Sequence, residues 1–417
     1  MSSTHSTEGL SQPSHGVDAP STFLLLLMAT AVAFTAANLY YYQPLLPALR
    51  DGLSLSDTLL GLVPFATQAG YAAAILLISP LGDVIPRRKL IALLSCLLVC
   101  SLVLHATAVS GLILVIGTFL MGLGANITQQ LIPLAASMSS PQQRGRVLGT
   151  MMSGLTVGIL LSRVLSGSLA EYLGWRAVYW MAASTALVWG LLLWRLLPIE
   201  TSRVNGMRYP ALIGSMVSLF RRHSLLRVSA LTGALWFAAF NAIWASLALH
   251  LTNAPLDLNL QQAGLFGFAG MAGIIGAKAS GRLVVPLGTW KTIFLALMVL
   301  LVGTLVLWGY QYSLVGLVIG IVLIDLGVFA AQVPNQVRVF AIEPSAQSRL
   351  NAVYMLFYYL GAALGSAAGV QLMTAYGWPG VMGLTVVLSL GALLLHIAMR
   401  RTDPSATPTT NQDLRHG

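Results

Sequence analysis

Long apolar runs recur along the chain, separated by short polar connections. They fall at Phe23–Leu46, Thr58–Leu81, Leu90–Ala108, Leu112–Met138, Val147–Ala170 and Ala177–Leu197, then at Val228–Leu251, Gly264–Leu283, Thr292–Tyr310, Leu314–Val333, Val353–Leu372 and Pro379–Met399. A helix needs about 20 apolar residues to cross a bilayer, so the pattern predicts an all-α integral membrane protein with twelve transmembrane helices. The polar stretch Pro198–Arg227 divides them into six and six. The expected organisation is a disordered tail over 1–21, a six-helix bundle over 22–197, a linker over 198–227, a second bundle over 228–400 and a tail over 401–417. The first 21 residues carry no Lys or Arg, and the run after them is too long for a secretory signal, so the first helix is expected to be retained.

The two sets of six resemble each other. Shifting the chain by 203 residues brings Phe34 onto Phe237, Asn38 onto Asn241, Gly70 onto Gly273, Gly158 onto Gly361, and Gly174–Trp175 onto Gly377–Trp378. Apolar bias alone does not produce one constant offset across several helices. The halves read as a duplicated six-helix unit. An even number of crossings per unit keeps both in the same orientation, with a site expected between them.

Composition agrees and excludes other classes. Hydrophobic residues are 57% of the 417 and charged residues 8%, against about 25% charged in a soluble domain. A soluble enzyme, a disulfide scaffold and a nucleic-acid binder are all disfavoured. The net charge of +10 lies in connections between apolar runs. Of the 22 basic residues, 18 fall on one side of the predicted membrane, two (Arg50, Arg176) on the other, and two (Arg163, Lys278) within runs. Lys and Arg collect on the cytoplasmic side, so both termini and the linker are expected there, in a bacterial inner membrane. Cys96 and Cys100 lie four apart in one apolar run with no further ligands nearby; they are expected to be packed small residues. No metal and no cofactor are expected.

Two motifs sharpen the picture. The connection after the second run reads Ser79-Pro-Leu-Gly-Asp83-Val-Ile-Pro86-Arg87-Arg88-Lys89. It resembles the G-x-L-a-D-r-x-G-r-k signature loop of the major facilitator superfamily at Asp83, Arg87 and Arg88. The fifth run resembles that family's antiporter pattern at Gly149, Gly158 and Gly167, with Arg163 in place of the proline and Ser162 and Ser166 in place of two glycines. Asn38–Pro47 resembles a bacterial branch of drug and small-metabolite exporters. The resemblance implies two bundles rocking about a midplane site, helices 1, 4, 7 and 10 around the cavity, and a cytoplasmic gate at Asp83, Arg87 and Arg88.

Polar groups inside a span are costly and usually face the bundle interior. The helices that the resemblance places around the cavity carry Asn38, Tyr41 and Gln43; Asn126, Gln129 and Gln130; Asn241 and Trp244; and Gln332 and Asn335. These and Arg163 are the candidate substrate-binding residues, each with helix–helix hydrogen bonding or packing as its alternative. Asp325 is the one carboxylate near the middle of a run. A deep carboxylate can take up a proton from one side and release it to the other, so Asp325 is the candidate proton site. Arg163 and Asp325 are a candidate pair between the halves; anion binding and a structural role are the alternatives for Arg163.

The expected function is secondary active transport of a small organic molecule by alternating access, as proton-coupled efflux. The alternative is a proton-coupled importer of an organic anion or sugar with Arg163 as anchor. A primary pump would need a Gly-x-x-x-x-Gly-Lys-[Ser/Thr] loop, which the chain lacks, and a membrane enzyme a clustered catalytic constellation. The expected partners are the substrate, protons and the bilayer, with the chain a monomer.

Overall fold

The computed structural model describes residues 21–140, 143–198 and 209–401, apart from the side chains at 83, 345 and 401. Every element among them is helical. The expected tails and the first part of the linker lie outside the described residues.

In the first half, Thr22–Ala37 (α1) and Tyr42–Leu53 (α2) form one crossing, interrupted at Asn38–Tyr41. Pro44 accounts for the break, since it has no N–H to bond the carbonyl a turn earlier. Asp57–Leu77 (α3) and Arg87–Ala106 (α4) follow. Gly111–Gly124 (α5) and Ile127–Ser137 (α6) share a crossing that breaks at Ala125–Asn126. Arg144–Leu173 (α7) runs 30 residues without interruption, as expected once Arg163 replaces a proline. Trp175–Leu196 (α8) completes the half.

The linker contains a helix that its polar composition did not suggest, Tyr209–Arg222 (α9). It buries Met216 and Leu219 and ends on Arg221 and Arg222. The Tyr209 hydroxyl donates to the carbonyl of Leu77 at 2.7 Å, which ties the linker to the first half.

The second half comprises Ser224–Leu251 (α10), the short Leu260–Leu265 (α11), a 3₁₀ segment over Phe266–Met271, Ala272–Gly309 (α12), Leu314–Phe340 (α13) and Gln347–Ala398 (α14). Among the described residues ten helices are long and apolar enough to cross a membrane, and two of them run 50 and 52 residues. Contacts show that these two are hairpins. Gly276 abuts the backbone of Leu326 on α13, while the next residue, Gly327, abuts Ala296 and Leu300. Residues 276 and 300 would lie about 36 Å apart on a straight helix, so α12 doubles back between them. The reversal is at Gly288, whose φ of 77° only glycine adopts readily. In the same way Gly361 abuts Ala234 and Gly391 faces Leu235, both on α10. Helix α14 therefore doubles back at Gly377, with φ 67°. Each of these two long helices therefore comprises two antiparallel segments.

The repeat is visible in the packing. Gly174 and Gly377, mates under the 203-residue shift, both turn the chain with positive φ. Gly158 abuts Ala33 on α1, and Gly361 abuts Ala234 on α10. Gly70 lies against Phe119 on α5, and Gly273 against Phe329 on α13. The Asn38 amide donates to the carbonyl of Phe34 at 2.8 Å, and the Asn241 amide to that of Phe237 at 2.9 Å. Cys96 and Cys100 depart from expectation: both are exposed on the outer face of α4 and do not fill the core.

Candidate functional site

The expected residues divide into two groups. One lies where the halves meet, about Arg163. Arg163 on α7 is 2% exposed. Its Nε donates to Gln43 Oε1 at 2.6 Å. Its guanidinium carbon lies 3.8 Å from the ring centroid of Trp244 on α10 and 5.4 Å from that of Tyr40. The Trp244 indole Nε1 in turn donates to Asp325 Oδ2 on α13 at 3.1 Å. Arg163 and Asp325 thus do not make the direct ion pair considered from the sequence. The indole stands between them, stacking on the cation with its face and bonding the carboxylate with its edge. A desolvated cation–π contact contributes about 2 kcal/mol. The bridge runs from the first half to the second.

Arg163 Nη1 and Nη2 are buried with no hydrogen-bond partner. So are Gln43 Nε2, Tyr42 Oη, and both amide atoms of Gln68 on α3. Tyr42 Oη lies within weak hydrogen-bonding reach of Gln43 and Gln68, so these three are partly satisfied by one another, while the Arg163 Nη atoms are not. Buried polar atoms rarely lack partners, and each one left open costs about 1–3 kcal/mol. Several of them lie together about Arg163. Asp325 is the one Asp or Glu among the buried polar residues described.

A run of glycines lets the halves close on Arg163. In the 3₁₀ segment and the turn before it, Gly264, Gly267 and Gly270 recur every third residue and so share a face. A Cβ on Gly264 would lie 2.6 Å from the Arg163 carbonyl, one on Gly267 3.1 Å from Arg163 Cβ, and one on Gly270 3.1 Å from Asp325 Oδ1.

The second group sits toward the linker end and bonds within the protein. Asn126 and Ser79 bond each other at 3.0 Å, Gln130 donates to Asn126 at 3.1 Å, and Gln129 donates to Tyr71 Oη at 3.0 Å. Asn335 donates to the Ser229 carbonyl and to Tyr354 Oη, which donates to Gln332. Asn38 and Asn241, away from that end, donate to their own helices while their Oδ1 atoms have no partner, and Tyr41 packs in the apolar core.

At the linker end a cavity of about 170 Å³ lies between the halves, lined by Arg87, Gln129, Arg349, Asn351 and Met216 among others. Of the residues expected at the gate, Arg87 lines this cavity, and the Arg88 guanidinium lies 4.7 Å from the Trp194 ring centroid within the first half. The side chain of Asp83 lies outside the described residues. Tyr40, Tyr71 and Tyr359 pack as one small cluster, with the Tyr71 and Tyr359 rings 4.6 Å apart. Gln129, from the cavity lining, bonds Tyr71, and Tyr40 faces Arg163, so this cluster separates the cavity from the centre. The opposite end is tied by direct bonds between halves: Leu260 N–H to Glu171 at 2.9 Å, Tyr172 Oη to Gln261 at 3.0 Å, and Gln371 to the Asp57 carbonyl at 2.7 Å.

The sequence pattern of the Major Facilitator Superfamily matches residues 27–342. The chain belongs to the Major Facilitator Superfamily. It is a multi-pass membrane transporter, not an enzyme. It is 39% identical over 381 residues to an uncharacterized transporter, YgaY, of Escherichia coli O157:H7, spanning 91% of this chain and 96% of that one. A probable transporter of Streptomyces coelicolor, SCO4007, is 32% identical over 364 residues, or 87% of this chain and 84% of that one. The fold is also that of a D-xylose–proton symporter crystal structure, with a TM-score of 0.74 and 15% identity over 92% of this chain and 98% of that one.

Tyr40, Tyr42, Gln68 and the glycine stripe were not singled out from the sequence. One signal was available. Gly264, Gly267, Gly270, Gly273 and Gly276 repeat every three residues, a period that suits a 3₁₀ helix and not an α-helix.

Proposed function

We propose that this transporter couples movement of a small organic molecule to protons, with the molecule held at Arg163 and the proton at Asp325. The observation that carries the reading is the Arg163–Trp244–Asp325 bridge. It joins cation, carboxylate and both halves, so rocking the halves apart changes what the carboxylate faces. Alternating access needs such a link between the carried charge and the interface. The bonds at the end away from the linker and the cavity at the linker end support a conformation closed on one side.

In this reading the twelve apolar segments cross a bacterial inner membrane, and the linker and both termini face the cytoplasm, supported by the 18-to-2 distribution of basic residues. The transporter works as a monomer. Outward direction has weaker support: it rests on the exporter-like Asn38–Pro47 stretch and on an antiporter pattern that Arg163 interrupts. The proposal is therefore coupling without direction.

The test uses proteoliposomes holding a pH-sensitive dye, challenged with a library of metabolites and drugs. At least one solute should move protons, and Asp325→Asn should silence that movement while sparing binding. Solute uptake that ignores a pH gradient would remove the proton role. A periplasm-active reporter fused after Arg401 should be inactive; activity there would reverse the orientation.

A further inference from the structure

Resting on the reading that this site carries a solute, we propose that the solute is a small organic acid bound to Arg163 through its carboxylate, and that it travels together with the Asp325 proton. The open atoms decide the charge. The guanidinium nitrogens Arg163 Nη1 and Nη2 have no partner, and Gln43 Nε2 and Gln68 Nε2, next to Tyr42, are further donors. Tyr42 Oη donates or accepts, and Gln68 Oε1 alone is restricted to accepting. A group that satisfies this set must be rich in acceptors. It must also balance a buried cation that has no direct ion pair.

Geometry narrows the class further. Trp244 and Tyr40 lie against the guanidinium, and Gln43 takes its Nε–H. What remains is the Nη edge, a planar fork of N–H groups that matches a carboxylate in two parallel bonds. A cationic solute would meet like charge there. A neutral polyol would bring as many donors as acceptors to a cluster already dominated by donors.

The sign of the coupling follows from the same arrangement. Arg163 acts on Asp325 from α7, and the Trp244 indole acts on it from α10. Gly270 of the 3₁₀ segment lies against it, and among the described residues no charged or titratable group of α12 or α14 acts on it. An anion on Arg163 competes with Asp325 for the one cation in reach and repels its carboxylate. Protonating Asp325 relieves both effects. Binding is reciprocal, so the proton then favours the anion as much as the anion favours the proton. The two load together, as in symport.

The experiment uses the full-length protein in nanodiscs with benzoate, salicylate, pyruvate, lactate and succinate, each paired with its uncharged amide. Thermal stability and calorimetry report binding. At least one acid should stabilise the protein where its amide does not, and Arg163→Gln should abolish the shift. Affinity should rise as pH falls, by up to about tenfold per pH unit for one linked proton, and one proton should be taken up from weakly buffered solution per anion bound. Asp325→Asn should bind with no pH dependence and no proton uptake. Absence of stabilisation by every acid overturns the anion assignment, as does equal binding by an amide. Proton release on binding overturns the symport sign. The transport reading fails separately: an anion that binds with these signatures yet never crosses a proteoliposome leaves a binding site without a carrier.

Discussion

The polar cluster about Arg163 and the one about Asn335 are built from the same residue types, and they behave oppositely. Around Asn335 the amides and the Tyr354 hydroxyl satisfy one another, although Ser229 Oγ has no partner. Asn335 bonds Ser229 and Tyr354, Arg338 donates to Asn335 at 2.6 Å, Tyr354 donates to Gln332, and Gln336 donates to Asn351. Around Arg163 the two guanidinium nitrogens have no partner, and Tyr42, Gln43 and Gln68 have at most weak bonds to one another. An amide in a membrane helix is therefore no guide to function by itself. What distinguishes a site from a brace is whether its hydrogen-bonding groups are already used.

That contrast implies a double dissociation. Arg163→Gln should have the largest functional effect, reducing solute-driven proton movement by at least about 100-fold, as expected when a buried charge contact of about 3 kcal/mol is lost. It should lower stability only modestly, because Asp325, left without its cation, neutralises by taking a proton. Unfolding on removal of Arg163 would place it among the braces. Tyr354→Phe should do the reverse. Losing the hydroxyl leaves Gln332 and part of Asn335 open, at a cost of about 1–3 kcal/mol, while transport per folded molecule stays at the wild-type rate. A lowered melting temperature with normal flux supports the distinction, and lost flux at normal stability erases it.

Smaller changes sharpen the comparison. Gly267→Ala should push Arg163 by a few tenths of an ångström, because the new Cβ would lie 3.1 Å from Arg163 Cβ. We expect affinity to fall about 3- to 10-fold, near 1 kcal/mol, measured by calorimetry with little change in stability. Asn241→Ala should matter least. Its amide bonds its own helix, and such bonds average about 0.6 kcal/mol. Asn38→Ala should match it if the two mates do the same work. A much larger loss of flux at Asn38 would show that the break in the first crossing has a role that its unbroken counterpart on α10 lacks.

Much of this architecture was readable from the chain. Long apolar runs located the helices, and the 203-residue repeat paired Gly174 with Gly377, both of which the structure shows as turns. Arg163, Asp325, Gln43 and Trp244 stood out because polar or bulky groups deep in a span need a reason. The remainder was hidden for specific causes. Gln68 lies on α3, which the resemblance places beside the cavity and not around it. Tyr42 was one of three consecutive tyrosines, and sequence could not say that Tyr40 and Tyr42 adjoin Arg163 while Tyr41 turns into the core. Asn126, Gln130, Gln332 and Asn335 had the right chemistry, but their partners come from other helices and no spacing reveals them. The linker helix α9 was missed because its 14 residues are too few to cross a bilayer, so its apolar positions did not register as a run.

The glycines at every third position have a mechanical consequence. A 3₁₀ helix advances about 2.0 Å and turns about 120° per residue, against 1.5 Å and 100° in an α-helix. Converting the six residues Phe266–Met271 to α geometry would shorten that crossing by about 3 Å and swivel one end against the other by about 120°. Those residues form a short length of screw thread set against the Arg163 backbone. Tightening or loosening it would carry the glycine face away from the cation, so a change of pitch in one half would be felt as a change of grip in the other.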